Sequence, residues 1–137
     1  MRMLDYVKMA NERLAQNVAT SNELTDRLVK AYVNAGAPAV RIVACGSSRN
    51  ASLMARDYMQ ATLRVPVTVV TPEAFVDFEH TYPQNALNIA ISQSGYSTNT
   101  IAALDYMRAH DMAAVALTAN IEAPIKEHAD IVLDYGV

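Results

Sequence analysis

Apolar residues along this chain recur with two different periods, and the change between them divides it. Between residues 4 and 19, Leu4, Val7, Leu14 and Val18 fall at roughly helical intervals with charges between them. Thr20-Ser21-Asn22-Glu23 then has the form of a capping box, in which Thr20 caps a second helix and Glu23 reaches back. That helix is predicted to present Leu24, Leu28, Val29 and Tyr32 on one face and to stop at Asn34-Ala35-Gly36-Ala37-Pro38. From Ala39 onward, short apolar runs alternate with helical patterns. Strands are predicted at residues 40–44, 67–70, 87–91, 113–118 and 131–133. Ala51, Met54, Ala55, Tyr58, Met59 and Thr62 form the clearest helical stripe, broken by Val65-Pro66. Thr71-Pro72-Glu73 is predicted to cap a short helical segment through Phe78, and residues 79–85 to form a polar connection. Ile101, Leu104 and Met107, with Ala103 beside them, predict a helix to about His110; Pro124 opens a short one through His128.

Continuously apolar strands separated by helices indicate a parallel sheet covered on both faces, an α/β three-layer sandwich preceded by a helical segment. In such sheets a ligand sits beyond the carboxyl ends of the strands, where the strand order reverses. Two polar stretches fall at strand carboxyl ends, Cys45-Gly46-Ser47-Ser48-Arg49-Asn50 and Ser92 to Thr100, and can face one site.

The second stretch runs from strand through polar loop to helix N-terminus, the geometry in which backbone N–H groups and a helix dipole meet an anion. It holds five Ser/Thr residues and no charged one. One hydroxyl is accounted for by a helix cap, and the others are more than capping requires. An anion here is expected to be held by hydroxyls and amides, which suits a small phosphorylated metabolite.

Composition narrows the alternatives. The 137 residues fit one domain, with 52% hydrophobic and 18% charged residues. No apolar run approaches the ~20 residues of a membrane span, and the N-terminus lacks a signal-peptide layout. A net charge of -3 without a Lys/Arg cluster argues against a nucleic-acid surface. The first 38 residues carry five Lys/Arg against four Asp/Glu, unlike a basic recognition module, and read as packing or oligomer surface. The single cysteine, Cys45, excludes an internal disulfide and a cysteine-rich metal site. The expected compartment is the cytoplasm.

Ala44-Cys45-Gly46-Ser47-Ser48, followed about 45 residues later by Ile91-Ser92-Gln93-Ser94-Gly95-Tyr96-Ser97, resembles the sugar isomerase (SIS) domain. It is most similar to the isomerase half of glucosamine-6-phosphate synthase and to related phosphosugar isomerases and deglycases. Leu117-Thr118-Ala119-Asn120 and Ala129-Asp130-Ile131-Val132-Leu133 look like the last two strands of that domain. The resemblance implies a five-stranded parallel sheet in a flavodoxin-like sandwich, and a sugar phosphate as ligand. It assigns Ser47 and Ser48 to a first ligand loop and Ser92, Gln93, Ser94 and Ser97 to the phosphate loop. Ser97 stands where the synthases usually have Thr, and Tyr96 where they usually have an acid, which suggests a different subfamily.

The reading is therefore a helical segment, residues 1–38, and a phosphosugar-binding SIS domain, residues 39–137. Isomerisation of a ketose phosphate needs a general base within reach of the substrate, and the two loops contain none. The resemblance implies that such a base comes from further segments, so the chain is expected to be an N-terminal piece of a longer, two-SIS-domain protein. By the same resemblance it is expected to pair as a homodimer and to need no metal or cofactor. Two other readings fit the loops: a sugar-phosphate sensor in a regulator, and a flavodoxin-like fold cradling a flavin phosphate.

The remaining candidates have plainer explanations beside the functional ones. Cys45 is expected to be a small buried residue rather than a nucleophile. Arg49 is expected either to reach a phosphate or to point to solvent. His80 reads as a surface residue that could also reach a neighbouring subunit's site, while His110 and His128 suit helix ends. Glu73 and Glu79 are the acids nearest a ligand-facing edge. The seven methionines read as core filler.

Overall fold

Two helices lead into an α/β alternation. The structure, a computed structural model, describes residues 1–36 and 38–135. Helix α1 spans Met3–Ala19 and α2 spans Ser21–Asn34. They are followed by β1 (Val40–Val43), α3 (Gly46–Leu63), β2 (Val67–Val70), α4 (Pro72–Ala74) and a π turn over Phe75–Glu79. Then come β3 (Leu87–Ile91), α5 (Thr98–Ala109), β4 (Val115–Thr118), a 3-10 turn at Pro124–Glu127 and β5 (Ile131–Asp134). Ala37 in the stop signal, and Gly136 and Val137 at the end of the expected domain, lie outside the described residues.

The five strands form one parallel sheet in the order β2-β1-β3-β4-β5. The period of two along each strand sends successive side chains to opposite faces. Val43, Ala90, Ala114 and Ala116 meet Ala103, Leu104 and Met107 of α5, together with Phe75, on one face. Val40, Ile42, Leu87, Ile89, Val115 and Leu133 meet Leu28 and Tyr32 of α2 and Met59 of α3 on the other. The predicted α/β fold with its five-stranded parallel sheet and leading helices is thus the observed one.

Several local expectations are corrected. Thr20 does not cap α2; its hydroxyl donates to the Gln16 carbonyl at 3.0 Å. The backbone runs helically through it, with Thr20 N donating to Gln16 O and Leu24 N to Thr20 O, so no capping box forms. The apolar stripe of α3 is largely uncovered, with Met54 86% and Tyr58 77% exposed, and Ser52 is its fully buried residue. Neither α1 nor α2 has a buried residue. Of the methionines only Met107 is in the closed core, whereas Met1, Met3 and Met54 are exposed, so most are not core filler. An apolar groove of about 410 Å³ stays open between α2, α3 and the sheet, walled by Leu28, Ile42, Met59 and Leu117. Thr71 does cap as predicted, its Oγ1 accepting from Ala74 N at 3.3 Å.

Candidate functional site

Strand order places the site. The chain moves from β1 outward to β2, then returns to β3 beside β1 and continues through β4 and β5 in the other direction. The order therefore reverses between β1 and β3, and the crevice beyond their carboxyl ends is the switch point of the sheet. Both predicted loops open there.

The first loop is tighter than its sequence suggested, because α3 begins at Gly46 and Ser47, Ser48, Arg49 and Asn50 are already helical. Gly46 has φ +58, a conformation that costs an L side chain, which is why glycine starts the helix. Ser47 is exposed and Ser48 half-buried, and the Ser48 carbonyl accepts from Ser52 Oγ at 2.7 Å. Cys45, the extended N-cap residue, is exposed rather than buried, because the chain turns outward there to enter the helix. Arg49 does not simply point to solvent: it is half-buried, and its Nε is buried without a partner.

The second loop is framed by its own hydroxyls. Ser92 Oγ accepts from Gly95 N at 3.1 Å, and Ser94 Oγ from Tyr96 N at 3.2 Å. Ser97 caps α5, accepting from Thr100 N at 3.4 Å and from Thr100 Oγ1 at 3.0 Å. In each case the serine oxygen is the acceptor, so its own O–H remains a donor. Ser92 is buried and belongs to the frame of the loop; Gln93 and Ser94 are exposed and Ser97 half-buried. The segment after β4 clamps the loop from below. Ala119 N donates to Gln93 O at 3.1 Å, and Ile125 N to Gly95 O at 3.2 Å. Gly95 has φ +74, and a Cβ there would stand 2.4 Å from Ala123 Cβ, so only glycine fits.

The N-termini of α3 and α5 thus both open onto the switch point, with serine side chains in their first turns or at their caps. Two helix dipoles and several serine O–H donors are an arrangement that can receive a compact anion. The serine loops contain no acid/base candidate; Glu73 adjoins the first turn of α5, whereas His80 and His110 lie at the other end of the sheet. Asn99 Nδ2, in the first turn of α5, donates to Glu73 Oε1 at 2.5 Å, which ties Glu73 to that helix. His80 is half-buried, and both of its ring nitrogens have partners within the chain. Its Nδ1 meets Phe75 O at 2.7 Å and its Nε2 meets Tyr106 Oη at 3.1 Å, because the π turn folds it back against α5. His110 stacks on Tyr106 at 3.9 Å, and His128 Nδ1 meets Asp105 Oδ1 at 2.6 Å. Sequence reasoning missed Arg41, whose side chain is 1% exposed. The available signal was a charge inside an otherwise apolar strand.

Comparison with known proteins gives the family and supports the fold. The model of the SIS domain family matches residues 35–136, and the chain belongs to that family. Among curated proteins, glutamine–fructose-6-phosphate aminotransferase of Chlamydia muridarum is 31% identical over 114 residues, 83% of this chain and 19% of that protein. The same enzyme of Clostridium tetani is 27% identical across 96% of this chain and 20% of that protein. The chain therefore spans about a fifth of the length of these relatives. Among solved structures, a candidate phosphosugar isomerase of Clostridium difficile superposes with TM-score 0.82 at 21% identity, over 98% of this chain and 37% of that one. The C-terminal domain of glucosamine-fructose-6-phosphate aminotransferase from Francisella tularensis gives TM-score 0.70 at 23% identity, covering 83% of this chain and 32% of that chain. At these identities both show the fold alone.

Proposed function

We propose that this chain is a sugar-phosphate-binding SIS domain that holds its ligand's phosphate at the β1/β3 switch point. The carrying observation is the meeting of two helix N-termini with uncharged serine donors at that crevice. Gln93, Ser94 and Ser97 bind the phosphate, Ser92 shapes the loop around it, and Ser47 and Ser48 face the sugar. The relatives named above support a hexose 6-phosphate as the class of ligand. The whole protein, in this proposal, is a sugar-phosphate isomerase or aminotransferase, acting as a homodimer in the cytoplasm. Pairing is supported by the exposed Leu4, Val7, Leu14 and Val18 of α1 and by the open groove beside α3. Proton transfer between adjacent sugar carbons needs a positioned base. The serine loops supply none, and Glu73 is the carboxylate tied to their helix.

Calorimetric titration with fructose 6-phosphate, glucosamine 6-phosphate and inorganic phosphate tests the reading. Saturable sugar-phosphate binding is expected, with Ser94→Ala weakening it by about tenfold or more, the effect of removing a hydrogen bond to a charged group. Binding that survives Ser94→Ala and Ser97→Ala together unchanged would sink the phosphate assignment.

A further inference from the structure

Helix α1 leaves the body of the protein. Asn17 Nδ2 donates to the Tyr135 carbonyl at 2.8 Å, just past the carboxyl end of β5, and Arg27 Nη1 to the Val132 carbonyl at 3.5 Å. These contacts run the helix antiparallel to β5. Residues before Asn17 therefore extend beyond the carboxyl edge of the sheet, the edge that carries the serine loops. Helical bonding through Thr20 makes α1 a continuation of α2 and keeps it from folding back onto its own sheet. No residue of α1 is buried, and Leu4, Val7, Leu14 and Val18 are each more than half exposed. That stripe is continued at heptad spacing by Leu28 and Tyr32, through which α2 packs on the sheet. Its remaining heptad position in α1 is Asn11, so the stripe carries no charge.

The groove between α2 and α3 has the matching character. Leu28, Ile42, Met59 and Leu117 wall it, and no charged side chain is among its described lining residues. The α3 wall presents Ala51, Ser52 and Ala55, small enough for a further helix to come close. At ~1.5 Å per residue the 17 residues of α1 span ~26 Å and the 18 of α3 ~27 Å, so α1 matches that wall in length. An apolar helix that cannot reach its own groove, and an apolar groove that its own chain leaves open, are both completed by a second copy. Two α1–α2 helices laid antiparallel put each α1 beside the other copy's α2. The stripe then faces that copy's sheet, because it shares the phase of Leu28 and Tyr32.

We propose that the chain forms a two-fold dimer by exchanging α1, each copy seating Leu4, Val7, Leu14 and Val18 in the groove between α2 and α3 of the other. Leu14 and Val18 then lie toward the carboxyl ends of the other copy's strands, beside Ser48, which also lines the groove. The exchanged helix thereby forms one wall of the sugar site. The inference rests on the pairing in the proposed function and not on the ligand assigned to the serine loops.

Cys45, the single cysteine, is exposed at the N-cap of α3 and supplies a probe beside the groove. A nitroxide is attached there in unlabelled protein, which is mixed with an equal amount of nitrogen-15-labelled Cys45→Ser protein. Broadening of an amide signal then reports the spin label on the other copy. The expected result is a dimer by sedimentation equilibrium, with α1 amides broadened most at residues 14–18 and progressively less toward Leu4. The signals should recover when ascorbate reduces the nitroxide. Leu14→Glu and, separately, Ala55→Glu are expected to weaken dimerisation about tenfold or more, with helix content by circular dichroism retained. A dimer whose broadening avoids α1, or whose affinity neither substitution changes, would overturn the exchange and leave the pairing itself in place. A monomer at hundreds of micromolar would overturn both, whatever the calorimetric test of sugar-phosphate binding gives.

Discussion

Helices α3 and α5 each follow a central strand, lie on opposite faces of one sheet and open their N-termini onto the same crevice, yet they are buried very differently. Helix α5 has 12 residues and buries Thr100, Ala103, Leu104 and Met107. Helix α3 has 18 and buries Ser52. The sheet surface explains part of the contrast. Ala90, Ala114 and Ala116 let α5 approach closely, whereas Ile42, Ile89, Leu117 and Leu133 line an open groove beside α3. Hydrophobic periodicity tells which face of a helix is apolar, not what covers that face. The helix entrances differ in the same sense: Gly95 before α5 is locked against Ala123, whereas Gly46 at the start of α3 has nothing within 4 Å of an added Cβ.

Four substitutions can break or sharpen this contrast. Leu104→Ala, in the closed layer, is expected to lower unfolding free energy by about 2–5 kcal/mol in urea titrations. A loss below about 1 kcal/mol would mean that the α5 layer is not closed. Gly95→Ala combines backbone strain with a contact that Ala123 cannot relieve cheaply, and about 2–4 kcal/mol is expected, together with weaker sugar-phosphate binding. Gly46→Ala carries the strain alone and should cost about 1–2 kcal/mol. Equal costs at the two glycines would remove the distinction between a clamped and an open helix entrance. Met54→Ser, on the exposed stripe, should leave the stability of the dilute protein within about 0.5 kcal/mol. A larger loss that grows with protein concentration in thermal melts would show that another copy covers α3 in solution.

Much of the site was legible because its signals are local. Ser92 to Thr100 marks a strand giving way to a helix N-terminus, and Ser97 proves to be the cap that one hydroxyl was expected to provide. The roles of the individual serines were not legible. Ser92 is buried because Leu117 O takes its N–H and its own oxygen takes that of Gly95, and neither contact leaves a trace in spacing. Cys45 looked like a small core residue because it adjoins an apolar strand, but its exposure depends on where α3 begins. Thr20 has the sequence of a cap, yet the carbonyls of Gln16 and Thr20 continue the helical bonding through it.

The sequence by itself determined the alternation of strand and helix, the parallel sheet and the serine loops at strand ends. Each follows from residues within one turn or a few pleats of one another, whose preferences act before the chain has closed on itself. Tertiary structure alone decided that β1 and β3 are neighbours, so that two loops some 45 residues apart share one crevice. It also decided that α3 stays half uncovered, and that Arg41 is buried against Asn88, 47 residues away. Those outcomes depend on which distant surfaces meet, and burial and electrostatic pairing are properties of that meeting rather than of any stretch of chain.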